Sequence, residues 1–325
     1  MDGQYWDLDA LVAELAEARS RWRHGQKRHV EYGAAGFPSR ADLSKIMMSL
    51  CGALFPLRLG PSFVRIDNED SFVAQTLQTT LSRLYGQIRL ELGYERDETS
   101  GPELDAEAAR IISTFAKRLP VLRILLDTDV EAAFTGDPAA RSVDEVLICY
   151  PSILAIIHYR LAHELHELGA PLVARIITEI AHGRTGIDIH PGATIGDHFF
   201  IDHGTGVVIG ATAIIGNRVR LYQGVTLGAR NFPSDERGRL AKSLPRHPIV
   251  EDDVVIYAGA TILGRIIIGR GSVIGGNVWL TNSVPAQSHV RQAKAENQIT
   301  SDSNDIAPHR IRGRSVSEAS TPLAD

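Results

Sequence analysis

The sequence predicts an α+β chain, with an α-helical N-terminal domain over residues 1–182 followed by a parallel β-helix over residues 183–288. Three observations predict it. From Ile187 to Pro285 an aliphatic residue recurs every six positions: Ile189, Ile195 and Ile201, then Ile209, Ile215, Leu221 and Leu227, then Val250, Ile256, Ile262, Ile268, Ile274 and Leu280. Four residues after each, the side chain is usually small or apolar, as at Ala193, Ala213, Val219, Val225, Ala260 and Val278. Seventeen of the 29 glycines lie between Gly183 and Gly276, where tight corners need residues that tolerate positive φ. A helix repeats at about 3.6 residues, so a period of six describes a short strand and a corner instead. Such units bury their apolar edges only by stacking, and with three hexads per coil same-face residues stack at roughly 4.8 Å. General crossover chirality favours a right-handed coil.

The N-terminal region carries a different period. A chain of 325 residues with 44 % apolar and 22 % charged residues has material for two domains and a sizeable core. Leu8, Leu11, Val12 and Leu15 share one helical face, and Phe72, Leu77, Leu81, Leu84 and Ile88 form a second stripe. Asp105–Leu119 and Val121–Phe134 read as two helices, with TSGP at 99–102 as a break and Pro120 as a kink or boundary. Pro151 opens a helix running Ile153 to Leu168, and Leu172 to Ala181 forms the last one before the solenoid. Residues 289–325 hold few large apolar side chains, which predicts a disordered tail, mobile from about Arg291.

Composition narrows the function. A net charge of −5 gives no reason to invoke nucleic acid or an anionic membrane. No run approaches the ~18 apolar residues of a membrane span, and the acidic opening MDGQYWDLDA is no signal peptide. Cys51 and Cys149 are too few and too far apart for a disulfide framework or thiolate metal site, so both read as buried thiols of a reducing cytoplasm.

The repeat is interrupted twice, and interruptions are where function is sought. Two extra residues stand between Ile201 and Ile209, within IDHGTGVV, and over twenty between Gly228 and Ile249. Each interruption carries a histidine beside a charge, Asp202-His203 and Arg246-His247. A histidine takes a hydroxyl proton best when a carboxylate fixes its ring, and Asp188, one coil earlier, is the candidate orienter for His203. Arg246 supplies a cation for a carboxylate and Asp202 an anion for an ammonium. Together these describe a pocket for a zwitterionic amino acid that bears a hydroxyl.

Over Asp127 to Pro285 the motifs GDPAARS, YRLAHEL, DIHPGATIG, IDHGTGVVIG, QGVTLG, RHP and GATILG resemble the serine O-acetyltransferase family of hexapeptide-repeat enzymes. The resemblance implies a left-handed β-helix and acetyl transfer from acetyl-CoA to the L-serine hydroxyl in cysteine biosynthesis, with no metal. It implies His203 as general base held by Asp188, Arg246 and His247 on the serine carboxylate, and Asp137 and Asp202 on its ammonium. His247 or backbone N–H groups would meet the tetrahedral oxyanion. Gly228, Ala229, Ala258 and Gly276 match positions along the pantetheine arm, with Ala229 replacing the usual glycine, while Arg265 and Arg270 are candidates for the nucleotide phosphates. A homotrimer with sites between columns is implied, with a dimer of trimers as the larger alternative.

The chain departs from the family in three places. ARNFPSDERGRLAKSLPRH is longer and more basic than the common excursion, and VPAQSHV replaces the usual Gly-Val-Pro-Ala-Arg ending. The final Leu323-Ala324-Asp325 differs from the isoleucine of members that bind O-acetylserine sulfhydrylase, which argues against that partner. Alternatives are homoserine or a sugar as acceptor, a non-catalytic trimeric spacer, and a carbonic-anhydrase-like zinc hydratase, for which His198 and His203 have a suggestive spacing but the third histidine should lie on a preceding coil, whereas His163 falls on a predicted helix.

Overall fold

The computed structural model describes residues 6–25, 36–96, 101–230 and 244–293. The expectations for the terminal tripeptide and for most of the basic excursion fall outside these residues. Among the described residues eight helices precede the strands: α1 (Leu8–Gly25), α2 (Arg40–Leu54), α3 (Pro56–Leu59), α4 (Glu69–Arg96), α5 (Pro102–Gly136), α6 (Val143–Cys149), α7 (Pro151–Glu167) and α8 (Pro171–Thr185). Leu8, Leu11, Val12 and Leu15 of α1 are all exposed, whereas Leu84 and Ile88 of α4 are fully buried. Prolines begin α5, α7 and α8, where the missing N–H costs nothing.

Pro120 does not divide its helix. The expected pair of helices is one, α5, because Phe115, Leu119, Leu122 and Leu126 are buried along a single face on both sides of the proline. Continuous burial outweighs a local cost of roughly 3 kcal/mol. Cys51 is buried as expected, but Cys149 is exposed at the end of α6, which is too short to cover it.

The strands form a left-handed parallel β-helix. Sheet A stacks β1 (Asp188–Ile189), β4 (Val208–Ile209), β7 (Thr226–Gly228), β10 (Thr261–Leu263) and β13 (Trp279–Leu280). Sheet B stacks β2 (Thr194–Ile195), β5 (Ile214–Ile215), β8 (Ile249–Val250) and β11 (Ile267–Ile268). Sheet C stacks β3 (Phe200–Ile201), β6 (Arg220–Leu221), β9 (Val255–Ile256), β12 (Val273–Ile274) and β14 (His289–Val290). Every one of the thirteen aliphatic positions lies in its own strand, β1 to β13, and all but Leu280 are fully buried. A fourteenth strand lies within the segment expected to be a disordered tail, because His289 and Val290 pair with Val273 and Ile274 and so extend sheet C.

Helices and solenoid share one core, and a buried ion pair joins them. Arg160 of α7 holds Asp129 of α5 through two bonds of 3.0 and 2.9 Å, and donates to the carbonyls of Ile195 and Gly196 at 2.5 and 2.6 Å. Asp129 accepts from the Phe199 N–H at 2.9 Å, so the pair satisfies its own charge while pinning the first coil. Glu91 of α4 accepts from the N–H groups of Leu172 and Val173 at 2.6 and 2.7 Å, capping α8 from outside because the methyl of Ala170 cannot accept a hydrogen bond. Burial pushes Glu91 up to about 7. Gly186, at φ 70°, then ends α8 in the left-handed region and turns the chain into β1.

Candidate active site

Each interruption falls at an edge of sheet A, and the two edges are opposite ones. Residues 202–207 connect sheet C to sheet A, whereas the long excursion leaves β7 of sheet A and returns through Arg246 and His247 into β8 of sheet B.

At the C-to-A edge, coil register identifies the inserted residues. Phe200 and Ile201 pair with Arg220 and Leu221, and Val208 and Ile209 with Thr226 and Leu227. Thr205 and Gly206 correspond to Gln223 and Gly224, which leaves His203 and Gly204 as the two extra residues. His203 sits at φ 59°, a strained conformation for a residue with a side chain, and Gly204 follows at φ 89°. A Cβ on Gly204 would lie 2.4 Å from Ile187, so glycine is required there. The bulge pushes His203 outward, leaving 72 % of its side chain exposed and its Nε2 3.8 Å from Asp202.

Asp137, the cap of α5, lies by this edge, where its charge interacts with His203 and Arg220. It accepts the hydroxyl proton of Tyr150 and the Ala139 N–H at 2.8 Å. The Tyr150 bond and then the Ala139 bond hold its carboxyl below the ordinary value, and the same bond together with burial pushes Tyr150 up to about 12. Tyr150 was not anticipated from sequence; its place as the cap of α6, thirteen residues after Asp137, is the only local signal.

The A-to-B edge is cationic. His247 is only 7 % exposed, and its ring lies over Gly210, where a Cβ would come within 2.0 Å. Burial first, then Arg246 and Arg265, bring it down to about 4. The Thr212 N–H donates to its Nδ1 at 3.1 Å, and since a backbone amide can only donate, the ring proton is on Nε2. Beside it a cleft of about 300 Å³ is lined by Arg230, Leu244, Arg246, Leu263 and Arg265 among others, with three guanidiniums and, among the described residues, no carboxylate.

One expectation meets a different arrangement. Asp188 makes no hydrogen bond or ion pair with His203 in this structure; it accepts from Arg175 of α8 at 3.4 Å and stands with Glu179 and His182 in a group with metal-ligand spacing. Arg175 bridges Glu179 and Asp188 there, already supplying the cation. The zwitterion residues divide between two edges: Asp137, Asp202 and His203 lie at one edge of sheet A and Arg246 and His247 at the other. The acetyl-CoA positions divide likewise: Gly276, whose Cβ would lie 3.2 Å from the Ala258 carbonyl, is at the C-to-A edge, and Gly228 and Ala229 are at the A-to-B edge. Arg265 donates to the carbonyls of Thr212 and His247, and Arg270 pairs with Asp252.

His163 engages the Pro191 carbonyl at 2.8 Å, His198 pairs with Asp197 at 3.0 Å, and His203 stands at a third place. Among the described residues these three do not come together as ligands.

Hexapeptide strands in a parallel β-helix, with a histidine at each interruption, define a hexapeptide-repeat transferase. Residues 247–282 match the family model "Bacterial transferase hexapeptide (six repeats)". The chain belongs to the serine acetyltransferase family: it is 51 % identical over 302 residues to "Serine acetyltransferase, plasmid" of Synechococcus elongatus, covering 91 % of this chain and 93 % of that one. Serine acetyltransferase 1 of Entamoeba histolytica in complex with L-cysteine superposes with a TM-score of 0.67 at 38 % identity, over 76 % of this chain and 86 % of that one. The Neisseria gonorrhoeae serine acetyltransferase in complex with serine gives a TM-score of 0.50 at 26 % identity, over 83 % and 100 %.

Proposed function

We propose that this protein transfers the acetyl group of acetyl-CoA to the hydroxyl of L-serine, giving O-acetyl-L-serine and free CoA. The observation that carries the reading, beside family membership, is the division of charge across sheet A. Asp137 and Asp202 suit an ammonium at one edge, and Arg246 with the Nε2–H of His247 suits a carboxylate at the other. A three-fold ring of parallel columns sets one subunit's C-to-A edge against its neighbour's A-to-B edge, so two chains complete each site. Gly228 and Ala229 then face Ala258 and Gly276 across the same junction, as a groove for the pantetheine arm requires.

In this site His203 removes the hydroxyl proton as the serine oxygen attacks the thioester carbonyl. The tetrahedral oxyanion accepts from His247 Nε2–H or a backbone N–H. Collapse breaks the C–S bond, and the thiolate takes the proton from the His203 imidazolium. The proton ends on CoA and no acyl-enzyme forms. Unpaired Cys51 and Cys149 fit a reducing compartment such as the cytoplasm.

The test is thiol release from acetyl-CoA with L-serine, homoserine, a sugar and no acceptor. Serine-dependent release that is lost in His203→Ala is expected. Release equally fast with a sugar, or none with any acceptor, overturns the reading.

A further inference from the structure

We propose that Thr212 is a positioning residue of the carboxylate-binding edge, registering the returning excursion on the solenoid and locking His247 as a donor from Nε2. The inference rests on the serine acetyltransferase reading for its kinetic consequence, though not for its geometry.

Thr212 lies in the A-to-B corner after β4, more than thirty residues before the side chains it organises. Its Oγ1 accepts the backbone N–H of Arg246 at 2.9 Å and that of His247 at 3.2 Å. A hydroxyl has two lone pairs and one proton, so with both lone pairs occupied the proton is directed to its remaining partner, His247 Nδ1 at 2.8 Å. The Thr212 N–H reaches the same nitrogen, and the Thr212 carbonyl accepts from Arg265 at 2.5 Å. Arg265 also donates to the His247 carbonyl at 3.0 Å, closing a ring of bonds around the two residues at the end of the excursion.

Three consequences follow for His247. The single lone pair of Nδ1 is shared by two donors, the Thr212 N–H and hydroxyl, so the neutral ring presents Nε2–H and not a lone pair. The ring plane is set by the bare Cα of Gly210 on one side and Thr212 on the other. The peptide of Arg246–His247 is held to the solenoid by a side chain on the preceding coil, so the guanidinium starts from a fixed Cα. A β-branched hydroxyl residue suits this best, because its χ1 is stiff. Serine retains the donor and acceptors; valine retains the shape and loses them.

The experiment compares full-length wild type, Thr212→Val and Thr212→Ser, with Thr212→Ala in reserve should the valine variant fail to fold. In Thr212→Val the KM for serine is expected to rise about tenfold and kcat to fall, with KM for acetyl-CoA within about twofold, since one lost hydrogen bond to an oriented group is of that order. Hydrogen exchange at the Arg246 and His247 amides is expected to accelerate. Thr212→Ser is expected to restore both within about threefold. Equal rises in both KM values denote a general structural lesion and overturn the proposal, as does a serine variant no better than valine. Unchanged amide exchange in Thr212→Val overturns it whatever acceptor the wild type uses; a wild type inactive with serine sinks the proposed function instead.

Discussion

The two edges of sheet A carry the same residue type in opposite settings. His203 stands on a two-residue bulge at positive φ, largely exposed, with acids around it. His247 is buried against Gly210 among arginines and is brought down to about 4. Exposure beside carboxylates suits a ring that gains and loses a proton; burial beside cations suits one that stays neutral and donates. The difference teaches that two histidines of one fold take on complementary chemistry through their surroundings, and that neither edge is a site alone.

The sharpest break of this comparison is His203→Ala, expected to lower kcat by a factor of about 10²–10⁴ with folding intact. Loss of less than tenfold would mean that the bulge does not carry the base. Gly210→Ala, which touches no substrate group, displaces the His247 ring and is expected to cost up to about a hundredfold in kcat/KM, as a displacement near 1 Å does. Its acetyl-CoA KM should change far less than its serine KM.

Co-assembly of His203→Ala and His247→Ala subunits tests whether the edges meet between chains. Each alone is expected to be nearly inactive, and random mixing into one trimer returns about a quarter of the sites. No recovery after verified mixing would place both histidines of a site in one chain. A smaller effect is expected at the acidic edge, where Tyr150→Phe leaves Asp137 one donor short. Its serine KM should rise about fivefold, corresponding to a hydrogen bond of about 1 kcal/mol.

The smallest effect is on stability against pH. His158, His190 and His247 are each lowered from 6.5 to about 4, chiefly by burial. The unfolded chain therefore takes up protons that the folded one refuses, and stability falls as pH drops from 6.5 towards 4. Glu91, raised from 4.5 to about 7, acts in the opposite sense, its contribution being lost as pH rises through 7. The Tm of His247→Gln should fall less steeply between pH 6.5 and 4 than that of wild type; an equal slope would mean the ring is not buried neutral.

Much of this was legible in advance. The six-residue period is local and covalent, and each aliphatic became the inward residue of one strand because a two-residue strand has only one inward place. The two interruptions were legible for the same reason, since a counting error in a strict repeat is visible without coordinates. The pairing of Asp188 with Arg175 was not, nor was the edge that each histidine occupies, because chain order does not say which edge of a triangular prism a residue occupies. Pro120 misled because propensity is local and the burial of Phe115 and Leu122 on a shared face is not.

By itself, then, the sequence determined the solenoid, its thirteen buried aliphatics and the two places where histidines leave the repeat. Only the tertiary structure decided that those places are opposite edges of one sheet, that Tyr150 holds Asp137, and that Thr212 and Gly210 hold His247. The physical reason is range. A repeat is written in neighbouring residues, whereas an edge, a hydrogen bond across more than thirty residues and a ring seated on a glycine exist only once the coils have stacked.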